Sequence, residues 1–202
     1  MGAVFVRQYD APPICHKEIL RYAGVRGEAS ELEVLLKECL RDVEGELSYS
    51  VCYAEFAIKE EKDFLDLGFV TTESRALRKN LSGCGSLVVF AATVGLSLDR
   101  LIVRYSKTSP SKALMLQAIG AERIEALCNL FCEEFAAELA EYGKTLRPRF
   151  SPGYGDFPLT VQRDIFAVLD CPRKIGVSLN ESLLMSPSKS VTALMGIGRS
   201  II

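Results

Sequence analysis

Tryptophan is absent from this chain, and histidine occurs once, at His16. A Ser or Cys nucleophile would have only that imidazole to draw on. No GxSxG, HExxH or phosphate-loop pattern is present either. General acid–base chemistry would fall to carboxylates, Lys or Tyr, so a self-contained active site is not expected. No apolar run approaches the roughly 20 residues of a membrane span. The opening Met1-Gly2-Ala3-Val4-Phe5-Val6-Arg7 lacks the basic-then-apolar order of a signal peptide. Val6 also stands where an N-myristoylation signal has Ser or Thr. The charge is nearly balanced, at -2 with a pI of about 5.6, which argues against a broad basic surface for nucleic acid. No CxxC pair occurs, which argues against a zinc ribbon or a thioredoxin-type site.

What is present is the composition of a globular protein: 202 residues, 49% hydrophobic and 25% charged. Without an internal repeat or a long linker, residues 1–202 read as one domain, with a helical part over about 1–46 packed on it. The seven cysteines are irregularly spaced and mostly set in apolar patterns. They read as free thiols of a reducing cytoplasm. Cys128 and Cys132 are spaced i, i+4 and share a helix face, but no further Cys or His completes a metal site. Cys15-His16 is a weak ligand pair, and His16 reads as a solvated helix-start residue.

The patterning alternates between the two regular periods. Residues 4–8 form a candidate strand. A helix is expected from His16 to Ala23 with Gly24 ending it. A second is expected from a Ser30–Glu33 capping box, with Leu32, Leu35, Leu36, Cys39, Leu40 and Val43 on one face and Gly45 at its close. Tyr49–Ile58 reads as a strand, Lys59–Lys62 as a charged turn, and Phe64–Val70 as the hairpin partner of Tyr49–Ile58. A short helix follows over Glu73–Leu81. Ser86–Val94 is the most apolar run and reads as a central buried strand. Gly83 and Gly85 precede it, the wrong order for a dinucleotide fingerprint.

Helices are then expected over Ser97–Ser106 and from Ser109-Pro110 to about Tyr142. The second has a stripe of Leu114, Ile119, Ile124, Leu127, Leu130, Phe131, Phe135 and Leu139, a kink or loosening at Gly120, and Gly143 at its end. Leu159–Leu169 is the last expected helix, stopped by Cys171-Pro172. Ile175–Leu179 and Val191–Ile197 are strand candidates around the turn Ser186–Lys189. Strands in pairs between helices of uneven length indicate an α+β fold, with a mainly antiparallel twisted sheet flanked by helices.

Arg147-Pro148-Arg149-Phe150-Ser151-Pro152-Gly153-Tyr154-Gly155-Asp156-Phe157-Pro158 is neither helix nor strand. It holds three prolines and two glycines in twelve residues. The residues alone leave two readings open. In one, Arg149 clamps a carboxylate beside closely approachable backbone and the face of Tyr154. In the other, the loop is a stiff connection whose Arg149 caps a helix end. The later segment Gly176–Val191 reads either as a strand, an apolar turn and a strand, or as a wall beside that loop.

Taken together and in order, these two segments resemble the reductive-activation domain of vitamin B12-dependent methionine synthase. That family carries Arg-x-x-Pro-Gly-Tyr, here Arg149 to Tyr154, with Pro158 beyond. Some twenty-five residues on it carries Gly-x-x-Leu-Thr-Glu-Ser-x-x-Met-x-Pro-x-x-Ser-Val-Ser-Gly. Gly176, Leu179, Glu181, Ser182, Met185, Pro187, Ser190 and Val191 match this stretch, and Asn180, Thr192 and Ala193 depart from it. Phe90–Gly95, Ile119–Glu125 and Leu20–Gly24 are similar to the short stand-alone members.

The resemblance implies an activation-domain fold that binds S-adenosylmethionine and docks on a corrinoid protein, where oxidised cobalamin is reduced and remethylated. It implies that Arg149 holds the ligand's carboxylate and that Ser151 and Gly153 line the site through their backbones. Tyr154 would face the corrin, and Glu125 would be the acidic ligand contact. The Asp-x-His-x-x-Gly cobalamin signature is missing, so cobalamin would arrive on a partner, a corrinoid protein or a truncated methionine synthase. The chain is then an accessory methyltransferase subunit of methionine biosynthesis in the cytoplasm. The family's early Asp contact has no counterpart, and its aromatic tail does not appear before Ile202, so looser S-adenosylmethionine binding is the expectation. The alternative is a binding protein for a carboxylated metabolite, with the same fold and no corrinoid role.

Overall fold

A computed structural model describes residues 2–24 and 30–199. The fold is built around β6 (Cys84–Thr93), whose two faces are both apolar and both covered. Val88, Phe90 and Ala92 turn to one core, and Leu87, Val89 and Ala91 to another. Each fully buried Val, Leu or Phe among them contributes about 1.5–3 kcal/mol relative to exposure, so a strand like this belongs at the centre of a sheet. Its neighbours are β2 (Tyr49–Ala57) and β10 (Ser190–Arg199), both antiparallel. β1 (Phe5–Tyr9) adds to β2, and the short β7 (Lys144–Leu146) adds to the end of β10. The order is β1-β2-β6-β10-β7.

One face is covered by four helices: α1 (His16–Tyr22), α2 (Ser30–Val43), α4 (Ser97–Ser106) and the 31-residue α5 (Pro110–Ala140). Tyr53, Phe90, Phe131 and Phe135 meet there with ring centroids 5.0–5.6 Å apart. The other face packs on α3 (Arg75–Asn80), α6 (Gln162–Leu169) and α7 (Cys171–Ile175). The expected α+β class and its antiparallel sheet are therefore observed. The capping box at Ser30 lies outside the described side chains. Among the described residues, no helix is long and apolar enough to cross a membrane.

Several local expectations are corrected. Phe64–Val70 is not the hairpin partner of β2, because β1 and β6 occupy both edges of that strand. It contributes instead to a small sheet of β3 (Lys59–Glu60), β4 (Leu65–Asp66) and β5 (Thr71–Thr72), which takes in the start of the expected charged turn. Leu114 is 59% exposed, because the adjacent Met115 and Leu116 take the core-facing positions of that turn. α5 runs without interruption through Gly120, where the missing side chain makes room for Leu98 and the Lys189 stem.

The helix expected to stop before Cys171-Pro172 does end at Leu169; Asp170 then turns the chain through a left-handed residue at φ 52°, and Cys171-Pro172 goes on to open the separate α7. The Ile175–Leu179 strand shrinks to β8 (Ser178–Leu179), which pairs with β9 (Met185–Ser186).

Candidate functional site

β10 is longer than its outer neighbour. β7 covers only Ile197 to Arg199, and the chain then runs on beside β10 without forming a strand. Arg147 N donates to Gly196 O at 2.8 Å. Pro148 has no N–H to offer and interrupts the ladder. Phe150 then exchanges both backbone bonds with Leu194 at 2.9 Å, as a single bridge.

Alternation along an antiparallel strand sets what comes next. The N–H and C=O of Leu194 face Phe150, so those of Thr192 and Ser190 face the same side. There the chain turns away instead of pairing. The open edge forms one wall of a cavity of about 400 Å³, bounded also by Glu125, Arg149, Ser151, Tyr154, Gln162 and Met185.

The loop that turns away is rigidly built. Gly153 at φ 92° and Gly155 at φ 56° adopt left-handed backbone. Gly153 N donates to Phe157 O at 2.8 Å, and Phe157 N to Tyr154 O at 3.0 Å. Phe157 is fully buried and anchors the loop, 6.1 Å from the Phe150 ring. Asp156 accepts from Arg75 N at 2.8 Å and Ala76 N at 3.1 Å, at the start of α3. The Ser74 hydroxyl and these two N–H groups hold its carboxyl below the usual range.

The facing wall is pinned as well. Asp99, in the first turn of α4, accepts from Ser188 N at 2.7 Å and from Ser188 Oγ at 2.5 Å.

Arg149 reaches across to α5. Its Nη2 donates to Glu125 Oε2 at 3.0 Å and to Asn129 Oδ1 at 2.9 Å. Glu125 and Asn129 are spaced i, i+4 and share a helix face. Arg149 therefore does not cap a helix end; Asp156 has that role. Beneath it, burial pushes the Cys128 thiol up to about 12 and the Cys132 thiol up to about 11, although the guanidinium pulls the other way. Protonated thiols are poor metal ligands. Among the described residues, no three His, Cys, Asp or Glu side chains converge.

Of the five residues expected at a site, Arg149, Ser151, Tyr154 and Glu125 line this one cavity. Gly153 lies in the same loop but does not line it, and its N–H is engaged within the turn. Tyr154 is 68% exposed at the mouth. The segment ending at Val191 does form a wall, through Met185, Ser190 and Val191.

Sequence reasoning missed Asn129, whose i+4 spacing from Glu125 was the available signal. It also did not single out Gln162 and Thr192, which line the cavity. Both are buried, at 6% and 2% exposure, and Gln162 Oε1 and Thr192 Oγ1 have no hydrogen-bond partner among the described residues. A buried unpaired polar atom costs about 1–3 kcal/mol.

Comparison with known proteins follows the same outline. Residues 69–199, which include every residue of the cavity, match the family model described as "Vitamin B12 dependent methionine synthase, activation domain". A solved structure described as the MetH reactivation domain bound to AdoHcy aligns with a TM-score of 0.68 at 19% identity. The alignment covers 96% of this chain and 78% of that one, and at this identity it speaks to the fold alone. No curated protein matches the sequence.

Proposed function

The chain belongs to the family of the vitamin B12-dependent methionine synthase activation domain, and from that premise we propose that its cavity binds S-adenosylmethionine and opens toward a corrinoid carried by another protein. The single observation that carries the ligand reading is the Arg149–Glu125 pair, 3.0 Å apart on the cavity wall. An α-amino acid brings the complementary pair, a carboxylate for the guanidinium and an ammonium for Glu125. The AdoHcy held by the related reactivation domain has this zwitterion at one end. The donor set therefore fits the proposed ligand.

Each residue then has a distinct task. Arg149 binds the carboxylate through a planar fork that Lys cannot reproduce. Asn129 keeps the guanidinium oriented when Glu125 turns to the ammonium. Ser151 contributes backbone at the cavity wall, and the hydrogen-bonded turn behind it, closed through Gly153, fixes its position. Tyr154 covers the mouth and offers a flat face to a corrin. S-adenosylmethionine supplies the methyl group when bound. The protein's part is to orient that end and limit water around it. Cobalamin arrives on the partner, because the one histidine, His16, is exposed at the start of α1, far in sequence from every cavity residue.

The test is calorimetric titration of S-adenosylmethionine and S-adenosylhomocysteine into wild type and Arg149→Ala. Wild type should bind, and the variant should lose at least tenfold in affinity while melting close to wild type. A second titration against a corrinoid protein, with cobalt oxidised and reduced, tests docking. Binding of S-adenosylhomocysteine without corrinoid-protein binding in either state would leave a metabolite-binding protein on the same fold. Absence of both would refute the proposal.

A further inference from the structure

We propose that two copies of this chain pair through β1, edge to edge and antiparallel about a two-fold axis at Val6, so that their two sheets become one continuous sheet. This interface is separate from the ligand cavity and does not depend on what the cavity binds. The open edge follows from strand phase. Leu194 turns its backbone groups to Phe150, so Val191, Ala193 and Met195 turn theirs to β6, opposite Ala92, Phe90 and Val88. Leu87, Val89 and Ala91 therefore bond to β2, through Phe56, Ala54 and Cys52. The next bond, from Ile58 N to Gly85 O at 3.1 Å, keeps that phase. Tyr49, Val51 and Tyr53 are left to bond Tyr9, Arg7 and Phe5. Val4, Val6 and Gln8 thus aim their N–H and C=O out of the sheet. Among the described residues, no turn, loop or further strand supplies them with a backbone partner.

The two edges of this sheet are built differently. β7 begins at Lys144, and Arg147 and Pro148 follow it, the charge and proline that blunt an edge against further pairing. β1 has no Lys or Pro, and its Phe5 and Val6 are exposed. Its one charge is drawn back over the sheet: Arg7 Nη2 donates to Glu138 Oε2 at 2.7 Å and to the Tyr53 hydroxyl at 3.0 Å. An unguarded apolar edge of this kind is a template for another strand.

The side chains select a second copy as that strand and fix its register. The outward groups sit at Val4, Val6 and Gln8, so only registers that set even positions against even positions satisfy both strands. Centring on Arg7 would set two like charges directly opposite each other. Centring on Phe5 or Gln8 carries one end of β1 past the other copy's strand. Centring on Val6 sets Val6 against its own copy and Val4 against Gln8, and every outward group of these residues is paired. Arg7 then stands opposite Phe5 of the other copy, a cation beside an aromatic ring rather than beside a second cation. The arrangement is self-complementary, as a two-fold interface requires. β1 and the β10–β7 edge are at opposite ends of the strand order, so both cavities stay open.

Sedimentation equilibrium of the full chain, over a wide range of concentrations, should show a mass rising from 22.2 kDa toward twice that value. Val6→Lys sets two ammonium groups face to face on the axis and should hold the mass at that of the monomer. Val6→Pro removes only an outward N–H and should do the same. Both variants should keep the wild-type circular-dichroism spectrum, because Val6 makes no backbone bond within its own sheet. Residues facing each other in a hydrogen-bonded antiparallel pair are about 5.5 Å apart at Cα, within disulfide reach. Mild oxidation of Val6→Cys should therefore link two copies through the introduced thiols, located by peptide mapping. A wild type that stays monomeric throughout overturns the inference and leaves the edge to a strand of another protein. A dimer that survives Val6→Lys and Val6→Pro, or introduced thiols that do not link, puts the interface on another surface and equally overturns it. Should Val6→Pro fail to fold, Val6→Lys and the thiol map decide.

Discussion

The Ser74 hydroxyl donates to Asp156 Oδ1 over 2.5 Å, joining residues 82 positions apart. The same Ser74 oxygen accepts from Leu77 N at 3.0 Å. One serine therefore caps α3 and holds the loop that carries Tyr154. Asp156 completes the link through Arg75 N and Ala76 N, and Gly155 lies close enough to α3 that a Cβ there would meet Ala76 Cβ at 3.0 Å.

Asp156→Asn should lower the unfolding midpoint at neutral pH and raise the protease sensitivity of the Ser151–Phe157 turn. The sign of the pH dependence follows from the depressed carboxyl. Its contribution is complete above the unfolded-state value near 4 and is lost as pH falls through the lower folded-state value. The gap in melting temperature between wild type and variant should thus be full at pH 6 and shrink toward pH 3. A gap that is constant across this range would show that the charge is not involved.

Gly120→Ala should destabilise the protein despite the better helix propensity of alanine. The new Cβ would collide with Leu98, which is fully buried, and would lie 2.8 Å from Lys189 Cγ. Overpacking of this kind costs about 1–3 kcal/mol, against about 0.5–1 kcal/mol regained in the helix. Denaturant titration reads the net loss. A gain in stability would mean that α4 and the Lys189 stem move aside without penalty.

Glu122 and Arg123 form a buried pair, with side chains 5% and 2% exposed. Arg123 also donates to the carbonyls of Pro12 and Pro13, and Glu122 accepts from Cys15 N at 3.0 Å. Together they tie the β1–α1 connection to the long helix. Removing one partner leaves a buried unpaired charge, so Glu122→Ala should cost about 3–5 kcal/mol by chemical denaturation. Glu122→Leu combined with Arg123→Met should cost less than the single substitution, because no charge is stranded. A double variant less stable than Glu122→Ala would assign the effect to the lost carbonyl contacts.

Native-state alkylation at pH 8 should separate the cysteines. Cys15 is exposed and should react fully. Cys39 and Cys128 are buried, with burial raising their thiols to about 11 and about 12, and should stay unmodified until the protein unfolds. Mass spectrometry of quenched samples gives the order. Early modification of Cys128 would mean that α5 opens locally beneath Arg149.

Much of this molecule was determined by the sequence alone, because the relevant forces act over a few residues. Ser109-Pro110 marks the start of α5, and Gly143 turns the chain at φ 64° past its end. The two-faced apolar run of β6 announced a central strand. The loop from Arg149 and the segment ending at Val191 were legible as a pair because their prolines, glycines and polar residues stand at fixed offsets. Arg149, Ser151 and Tyr154, three of the five expected site residues, share the cavity through that loop.

The tertiary structure decided what local pattern leaves open. Phe64–Val70 had the strand character to partner β2, but β1 and β6 take both edges of that strand, a pairing that buries both faces of the central sheet at once. Arg149 reaches Glu125 and Asn129 on a helix more than a turn of sequence logic away, a contact that exists only after α5 docks against β10. Gln162 and Thr192 lie 30 positions apart on a helix and a strand with unremarkable periodicity. Their shared property, a polar atom buried without a partner, is a fact about surroundings and not about residue type. Both residues line the cavity beside the stretch of β10 that β7 leaves uncovered, a neighbourhood that exists only once the sheet and α6 have packed.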